Sequence, residues 1–360
     1  MERPIRIKDI AEAAGVSTGT VDRVIHGRGN VSPAKRAKVL EVMRALDYKP
    51  NIIASALAYN KNFRIGVLLP DPEIDPYWQA PYSGVTYALE SVRHYGVTVQ
   101  FYLFDLFKAE TFVEQYEKLL ADAPDAILFS PLFLKESKAL LAKSSALGIP
   151  NVMVNTYIEN SDSLSYIGPD SYQSGVLAAR LLNFGLNNHA TVIILNLAKG
   201  STNAQHLLQK EQGFRDYYAN FNSGSTTVVK YDFEDFDKEE LMEGFMEEIF
   251  GKHPDLDGIF VTNSRAFRVV ESISGEAAKR LKIVGFDLMK KNLDYLQTGE
   301  VDFIINQNSV QQGYWGIMTL FNHFILKQKV EKIQNLPLDI VVLENYSYYL
   351  RKEKSFQLAI

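Results

Sequence analysis

The sequence predicts a small all-α head followed by a large, two-lobed parallel α/β body. Three observations carry this. The first fifty residues hold short helix-spaced apolar stripes separated by cap signals. From Arg64 onward, apolar strand-like runs alternate with amphipathic helical stretches in two similar series. Charge divides at the same place: residues 1–64 hold 12 Lys+Arg against 6 Asp+Glu, leaving 26 against 37 for the remainder of a chain whose formal charge is -5. A basic module on an acidic body suits a polyanion-binding head, because phosphate neutralisation needs clustered cations.

In the head, Ile7, Ile10, Ala11 and Ala14 lie on one face of a first helix, and Gly15 stands where a left-handed C-cap is needed. Ser17 is a good N-cap for a second helix from Thr18 to Ile25. Its Val21, Val24 and Ile25 face inward, while Thr18, Gly19, Asp22, Arg23 and His26 stay outside. Two short helices across a tight turn form the helix-turn-helix signature. The loop HGRGN leads to Ser32 as N-cap and Pro33 at the first helical position of a third helix, with Val39, Met43 and Leu46 as its buried stripe. No strand precedes Gly27-Arg28-Gly29, which argues against a phosphate loop there. After Pro50, Asn51 caps a short segment, IIASALA, too small to be helical alone in water.

The run IKDIAEAAGVSTGTVDRVIHGRGNVSPAKRAKVLEVMRALDYKPNIIASALA resembles the DNA-binding head and hinge of the LacI/GalR family of bacterial repressors. Its most specific elements are GVS-x2-TV-x-RV and the L-x-Y-x-PN-x2-A-x2-LA hinge. The resemblance implies that the second helix enters the major groove, with Thr18 and Gly19 at the base-reading positions and Asp22, Arg23 and His26 on the same face. Ser17 and Thr20 would donate to phosphate, and Asn30 with Ser32 would meet the backbone where the loop approaches it. In the hinge that Asn51 opens, Leu57 matches a leucine wedge pressed into the minor groove, and Ala54 lets two hinge helices approach closely. Three departures stand out: Gly19 brings no side chain, Asp22 replaces a small hydroxyl residue, and Arg6 stands where a capping Ser or Thr is expected. Asp22 either accepts from a cytosine amino group or holds Arg23 in place.

The body reads as RIGVLL, a helix from Tyr77 to His94, VTVQFYLF, a helix from Glu110 to Ala121, DAILFS, a helix from Glu136 to Leu147, and PNVMVN. The second series is ATVIILN, a helix from Ala204 to Tyr218, TTVVKYDF, a helix from Lys238 to Phe250, DGIFVTN, a helix from Ala266 to Ala278, KIVGFD, DFIINQ and a helix from Ser309 to Leu326. Ligands bind beyond the carboxyl ends of strands in open parallel sheets, so two facing lobes would gather those ends around a cleft. Residues 64–350 resemble the periplasmic-binding-protein type I fold that serves the same family as its effector domain. In sugar-binding members an Asn/Asp-Pro-aromatic-aromatic run stacks on the ligand; here it reads Asp75, Pro76, Tyr77 and Trp78. The resemblance also places Asn155, Lys210 before an EQGF turn, Asn263, Asp287 and Gln307 around the effector, while Asp170 caps the next helix. Asn155 replaces a common Asp and Lys210 an Arg with a bidentate fork. Phe233 and Phe236 read as core.

The expected divisions are residues 1–50 for the DNA-binding domain, 51–63 for the hinge helix and linker, 64–350 for effector binding and dimerisation, and 351–360 for a tail without sustained heptads. With no cysteine there is no disulfide, thiolate metal site or cysteine nucleophile. The six histidines lack metal spacing, no G-x-S-x-G elbow occurs, and carboxylate pairs such as Asp255 and Asp257 read as solvated charge. No catalytic residue, metal or cofactor is expected. The charged start MERPIRIKD lacks the apolar core of an export signal, and no run of 18 apolar residues occurs, so the expectation is a cytoplasmic protein without a membrane partner. Its expected partners are a pseudo-palindromic double-stranded DNA operator, a second copy of the chain and a small carbohydrate. The alternatives are a corepressor such as a nucleobase, or a periplasmic-type sugar receptor.

Overall fold

The computed structural model describes residues 5–25, 29, 31–46, 48, 62–187, 189–199, 204–221, 226–273 and 280–350. The chain divides into two compact units, Met1–Asn60 and Lys61–Ile360.

The first unit holds helices α1 (Ile7–Ala14), α2 (Thr18–Ile25) and α3 (Pro33–Ala45) around buried Ile10, Ala11, Ala14, Val21, Val24 and Val39. Gly15 ends α1 at φ 65°, which lets Val16 N–H return to the Ala11 carbonyl at 3.0 Å. Arg6 supplies no cap with its own side chain; the Asp9 carboxylate instead accepts from the Arg6 N–H at 2.7 Å. Ser17 caps α2 as expected, its Oγ accepting from Thr20 N–H at 3.2 Å. Ser32 holds the N-cap position of α3 but makes no side-chain cap bond. Of the expected stripe on α3, Val39 is fully buried, whereas Met43 and Leu46 only pack against the cluster.

The second unit begins with β1 (Phe63–Pro70), a 3-10 turn (Pro76–Trp78), α4 (Gln79–Val92), β2 (Val97–Phe104), α5 (Ala109–Ala121), β3 (Ala126–Phe129), α6 (Leu134–Ala146), β4 (Asn151–Val154) and β5 (Ser165–Gly168). It continues with α7 (Ser171–Asn183), β6 (Thr191–Leu197), α8 (Gln205–Phe221), β7 (Thr227–Phe233), α9 (Glu239–Lys252), β8 (Leu256–Val261), α10 (Ala266–Glu271) and β9 (Lys282–Phe286). Last come α11 (Lys290–Thr298), β10 (Phe303–Asn306), α12 (Ser309–Phe324), β11 (Ile333–Asn335) and β12 (Asp339–Val341). Two six-stranded sheets result, ordered β11-β5-β4-β3-β1-β2 and β12-β10-β9-β8-β6-β7. Among the described residues all pairings are parallel except β10 with β12. Helices cover both faces, which is why β1, β3, β4, β6 and β8 are nearly continuous apolar runs.

The chain passes between lobes after β5, after β10 and after β11. Helix α12, read in sequence as the end of the second series, therefore packs in the first lobe against α4, β4 and β5, while α7 belongs to the second lobe. Elements β5, α7, α11, β11 and β12 had no counterpart in the periodicity. The helix expected to reach Ala278 is described only to Glu271.

Each lobe contains one pair of helices in unusually close contact. A Cβ on Gly84 of α4 would lie 1.9 Å from the Val310 carbonyl oxygen of α12, and one on Gly313 would lie 2.0 Å from that of Pro81. In the second lobe, a Cβ on Gly213 of α8 would lie 2.0 Å from the Tyr172 carbonyl oxygen of α7, and one on Gly175 would lie 2.0 Å from that of Lys210. The EQGF run is accordingly helix interior, and Gly213 serves approach rather than a turn. Alanine normally exceeds glycine by about 1 kcal/mol in a helix interior. At Gly213 the sign should invert: Gly213→Ala is expected to lower stability in urea unfolding by about 2 kcal/mol through overpacking. Gly244→Ala in α9, with nothing within 4 Å of the added carbon, should be neutral or stabilising; equal behaviour of the two variants would refute the close approach.

Candidate functional site

The carboxyl ends of β1, β4, β6, β8, β9 and β10 converge on a cleft between the lobes. At the end of β1, Asp75 caps the 3-10 turn by accepting from Tyr77 N–H at 3.0 Å. This fixes Tyr77 and Trp78, whose rings meet edge to face at 5.1 Å. The Tyr77 hydroxyl accepts from Asn155 Nδ2 at 2.8 Å and lies 3.1 Å from Ser309 Oγ. Burial raises its pKa far above the ordinary phenol value, so it stays neutral. Asn155 follows β4 at φ 68° and Asp287 follows β9 at φ 66°. Asn and Asp tolerate this left-handed conformation better than most residues, and it turns both side chains out of the sheet line. Asn292 Nδ2 pins the second of these turns by donating to the carbonyls of Phe286 at 2.9 Å and Asp287 at 3.2 Å.

From the second lobe, Lys210 on α8 donates to the Thr262 carbonyl at 3.0 Å and stands 3.6 Å from the Phe286 ring centre. The Asp287 carboxylate accepts from Gln307 Nε2 at 3.0 and 3.1 Å. Asn263, just past β8, reaches the end of β6, donating to the Leu197 carbonyl at 2.9 Å, and accepts from Arg265 N–H at 3.2 Å. Burial pushes the Lys210 pKa down to about 8, against the attraction of Asp287, and pushes Asp287 up to about 6, against that of Lys210. Each partly offsets the cost of burying the other's charge.

A hollow of about 120 Å³ in this cleft is lined by all eight expected effector residues: Asp75, Tyr77, Trp78, Asn155, Lys210, Asn263, Asp287 and Gln307. A larger hollow of about 580 Å³ beyond Tyr77 and Asp287 contains none of the other six. The sequence reading missed Arg265, His206, Lys199 and Phe107, which also line the cleft. Arg265 closes on the Asp75 carboxylate from across the cleft, with its guanidinium 4.6 Å from the Phe236 ring centre. Phe236 is core, as expected, yet also carries this cation. His206 Nδ1 lies 3.3 Å from Thr156 Oγ1 across the lobes. Phe107 leaves the first lobe to pack against the core of the second. The VTNSR run at the end of β8, with a cation two residues after a strand-end Asn, was the one available signal for Arg265. Asp170 caps α7 through Gln173 N–H at 2.9 Å and does not line the cleft. Asp257 is more than solvated charge, since it accepts from Thr191 N–H at 2.9 Å.

In the head, Ser17, Thr18, Gly19 and Arg23 are exposed along one side of α2, Thr20 and Asp22 are half-buried, and Ser32 is exposed. The expected contacts His26, Asn30, Asn51, Ala54 and Leu57 lie outside the described residues, as do nearly all of the hinge and the tail. Among the described residues no helix is long and apolar enough to cross a membrane, and no group of acidic and histidine side chains could hold a metal ion.

Residues 65–328 match the family model for a periplasmic binding protein domain, and residues 6–51 match that for bacterial regulatory proteins of the lacI family. The body belongs to the periplasmic binding protein domain family and carries a head of the lacI family. Catabolite control protein A of Priestia megaterium is 46% identical over 67 residues, 19% of this chain and 20% of the relative, so the chain spans about a fifth of that protein. The ribose operon repressor of Halalkalibacterium halodurans is 24% identical over 344 residues, 92% of each chain. A chain described as a LacI transcriptional regulator from Bacteroides fragilis superposes with TM-score 0.75 at 24% identity, covering 80% of this chain and 100% of its own. A solute binding protein from Agrobacterium vitis bound with α-D-tagatopyranose gives 0.70 at 24% identity over 79% and 96%. Both neighbours share the two-lobed fold of this body.

Burial, reinforced by Lys210, lowers the His206 pKa to about 3. An imidazole that titrates near 6.5 in the unfolded chain therefore contributes stability that is present above that value and is lost as pH falls toward 3. Between pH 7 and 5 the protein is expected to lose about 1 to 2 kcal/mol more stability than its His206→Gln variant, a partly buried group bringing less than the full linkage. Asp287 shifts in the opposite direction but is common to both proteins and cancels in the difference. Parallel denaturant titrations at the two pH values check this, and identical losses would place His206 in water.

Proposed function

We propose that this lacI-family chain is a cytoplasmic, homodimeric repressor of transcription whose binding to a pseudo-palindromic operator is controlled by a sugar or sugar derivative. It performs no catalysis. The observation that carries the effector reading is the convergence of Asp75, Tyr77, Trp78, Asn155, Lys210, Asn263, Asp287 and Gln307 on one interlobe cleft. Those groups suit a polyol. The indole of Trp78 offers a flat apolar surface for the CH side of a ring, and the lysine, carboxylates and amides supply the donors and acceptors that a desolvated hydroxyl requires. Relatives named as sucrose and ribose operon repressors agree with this class of effector.

At the DNA, Thr18 and Gly19 would face base edges, Arg23 would take a guanine edge or a phosphate, and Ser17 and Thr20 would fix the register. Asn51, Ala54 and Leu57 would order between the half-sites, with Leu57 entering the minor groove. Because a ligand shifts an equilibrium only by its differential affinity, the sugar controls repression only if the lobe arrangement it selects differs from the one that suits the operator.

Enrichment of DNA from a random pool by the full-length protein tests the reading. A pseudo-palindromic site is expected, with Arg23→Ala weakening it by roughly tenfold or more at fixed salt, since a bidentate base contact is worth about 1–3 kcal/mol. In a Trp315→Phe background the buried Trp78 is the remaining tryptophan, and one of a panel of sugars should change both its fluorescence and the operator affinity. Failure to enrich any DNA, or an operator affinity indifferent to every sugar that binds, would overturn the proposal.

A further inference from the structure

Five ionic side chains line the cleft: Lys199, Lys210 and Arg265 against Asp75 and Asp287. Lys210 and Asp287 compensate each other in the interior. At the other end, Arg265 and Lys199 share one aromatic corner. The Arg265 guanidinium stands 4.6 Å from the Phe236 ring centre and 5.9 Å from that of Phe107, and Lys199 Nζ stands 4.8 Å from Phe107 and 5.8 Å from Phe236. Asp75 is the carboxylate facing this corner from within the cleft, and it is divided: Oδ1 holds the Tyr77 N–H while Oδ2 meets Arg265 Nη2. Lys199 also meets Asp237 at 3.3 Å, but those side chains are 41% and 50% exposed, and water screens such a pair. His206 is uncharged near neutral pH. The lining thus carries three cations against two carboxylates, Lys199 being answered also from outside it by Asp237 and Asp105, and two of the three cations share the Arg265 corner.

The hollow itself is about 120 Å³, below the several hundred that small-molecule sites usually enclose, so an effector must displace side chains or part the lobes. Parting the lobes loosens the contact between Asp75 and Arg265, because the two belong to different lobes. A neutral ligand would leave the guanidinium short of a counter-charge in a partly desolvated place. A ligand carboxylate would instead use the planar fork, whose five N–H donors exceed what Asp75 engages.

We propose that the effector is an acidic sugar, a uronate or aldonate, whose carboxylate binds Arg265 in the corner formed by Lys199, Phe107 and Phe236 while its ring lies toward Trp78. This rests on the sugar-effector reading and narrows it. Calorimetric titration of the full-length protein with matched pairs tests it: D-glucose with D-glucuronate and D-gluconate, and D-galactose with D-galacturonate. At least one acid should bind roughly tenfold or more tighter than its neutral partner. Arg265→Gln should abolish that preference, bringing the acid-to-neutral affinity ratio to about one, whereas Arg265→Lys should retain part of it. Asp75→Asn keeps an oxygen to cap Tyr77 and removes the internal competitor, so the acid-to-neutral affinity ratio should rise. Thermal melts of each variant confirm folding. Neutral sugars binding as tightly as the acids, or a preference unchanged in Arg265→Gln, would overturn the inference and leave the sugar reading standing. Binding of neither class would overturn both.

Discussion

The cleft depends on a backbone constraint at two equivalent places. Asn155 ends the fourth strand of the first lobe and Asp287 the fourth strand of the second, and both adopt positive φ. Such a conformation costs about 1 kcal/mol or more for a residue with a Cβ. It is held by the ladder that follows, since Asn155 N–H reaches the Ile167 carbonyl at 3.3 Å and Asp287 N–H that of Ile305 at 3.1 Å. The result is that each lobe presents one polar side chain above its sheet, where an ordinary strand end would continue into a loop. Tyr77 binds to the first of these and Gln307 to the second. The remaining polar groups of the cleft are arranged around that pair.

The two lobes solve the same problems in the same way. Asp125 accepts from the Arg64 N–H at 2.8 Å beside β1, as Asp257 does from Thr191 beside β6. Gly84 and Gly313 bring α4 against α12, and Gly213 and Gly175 bring α8 against α7. The correspondence breaks in the cleft. Lys210 and Arg265 come from the second lobe, while the first answers with Asp75 and aromatic rings. Symmetric scaffolding carries asymmetric chemistry, which is what a site needs to hold one ligand in one orientation.

Much of this was legible because it rests on local rules. Gly15, Ser17 and Pro33 punctuate the head as their cap preferences demand, and the apolar runs of β1, β6 and β8 mark buried parallel strands. The strand-end position of Asn155, Asn263, Asp287 and Gln307 was enough to gather them. What escaped depends on distance along the chain. β11 and β12 have three residues each and find partners only after the chain has crossed between lobes, so no periodicity announces them. α12 reads identically whichever lobe it joins. Arg265 acquires meaning only through Asp75, 190 residues away, and His206 only through Thr156, 50 residues away. The side chain at Ser32 shows the converse failure, a sound local cap signal that the structure leaves unused.

Lobe closure is opposed by the cost of bringing charged groups out of water and favoured by whatever pairs them. In this chain part of that compensation is internal: Asp75 with Arg265, Thr156 with His206, and Phe107 seated on the opposite core already link the lobes. The connections that cross between lobes are also braced. Asn308, at φ 53°, donates to the Pro337 carbonyl and to Asp339 at 2.9 Å each, and Leu336 N–H reaches the Gly168 carbonyl at 2.9 Å. An effector therefore does not have to create closure. It has to exchange one set of cross-lobe contacts for another, and only the difference between the two sets is free energy available for regulation. That difference is largest for a ligand able to replace a charged contact with a charged contact.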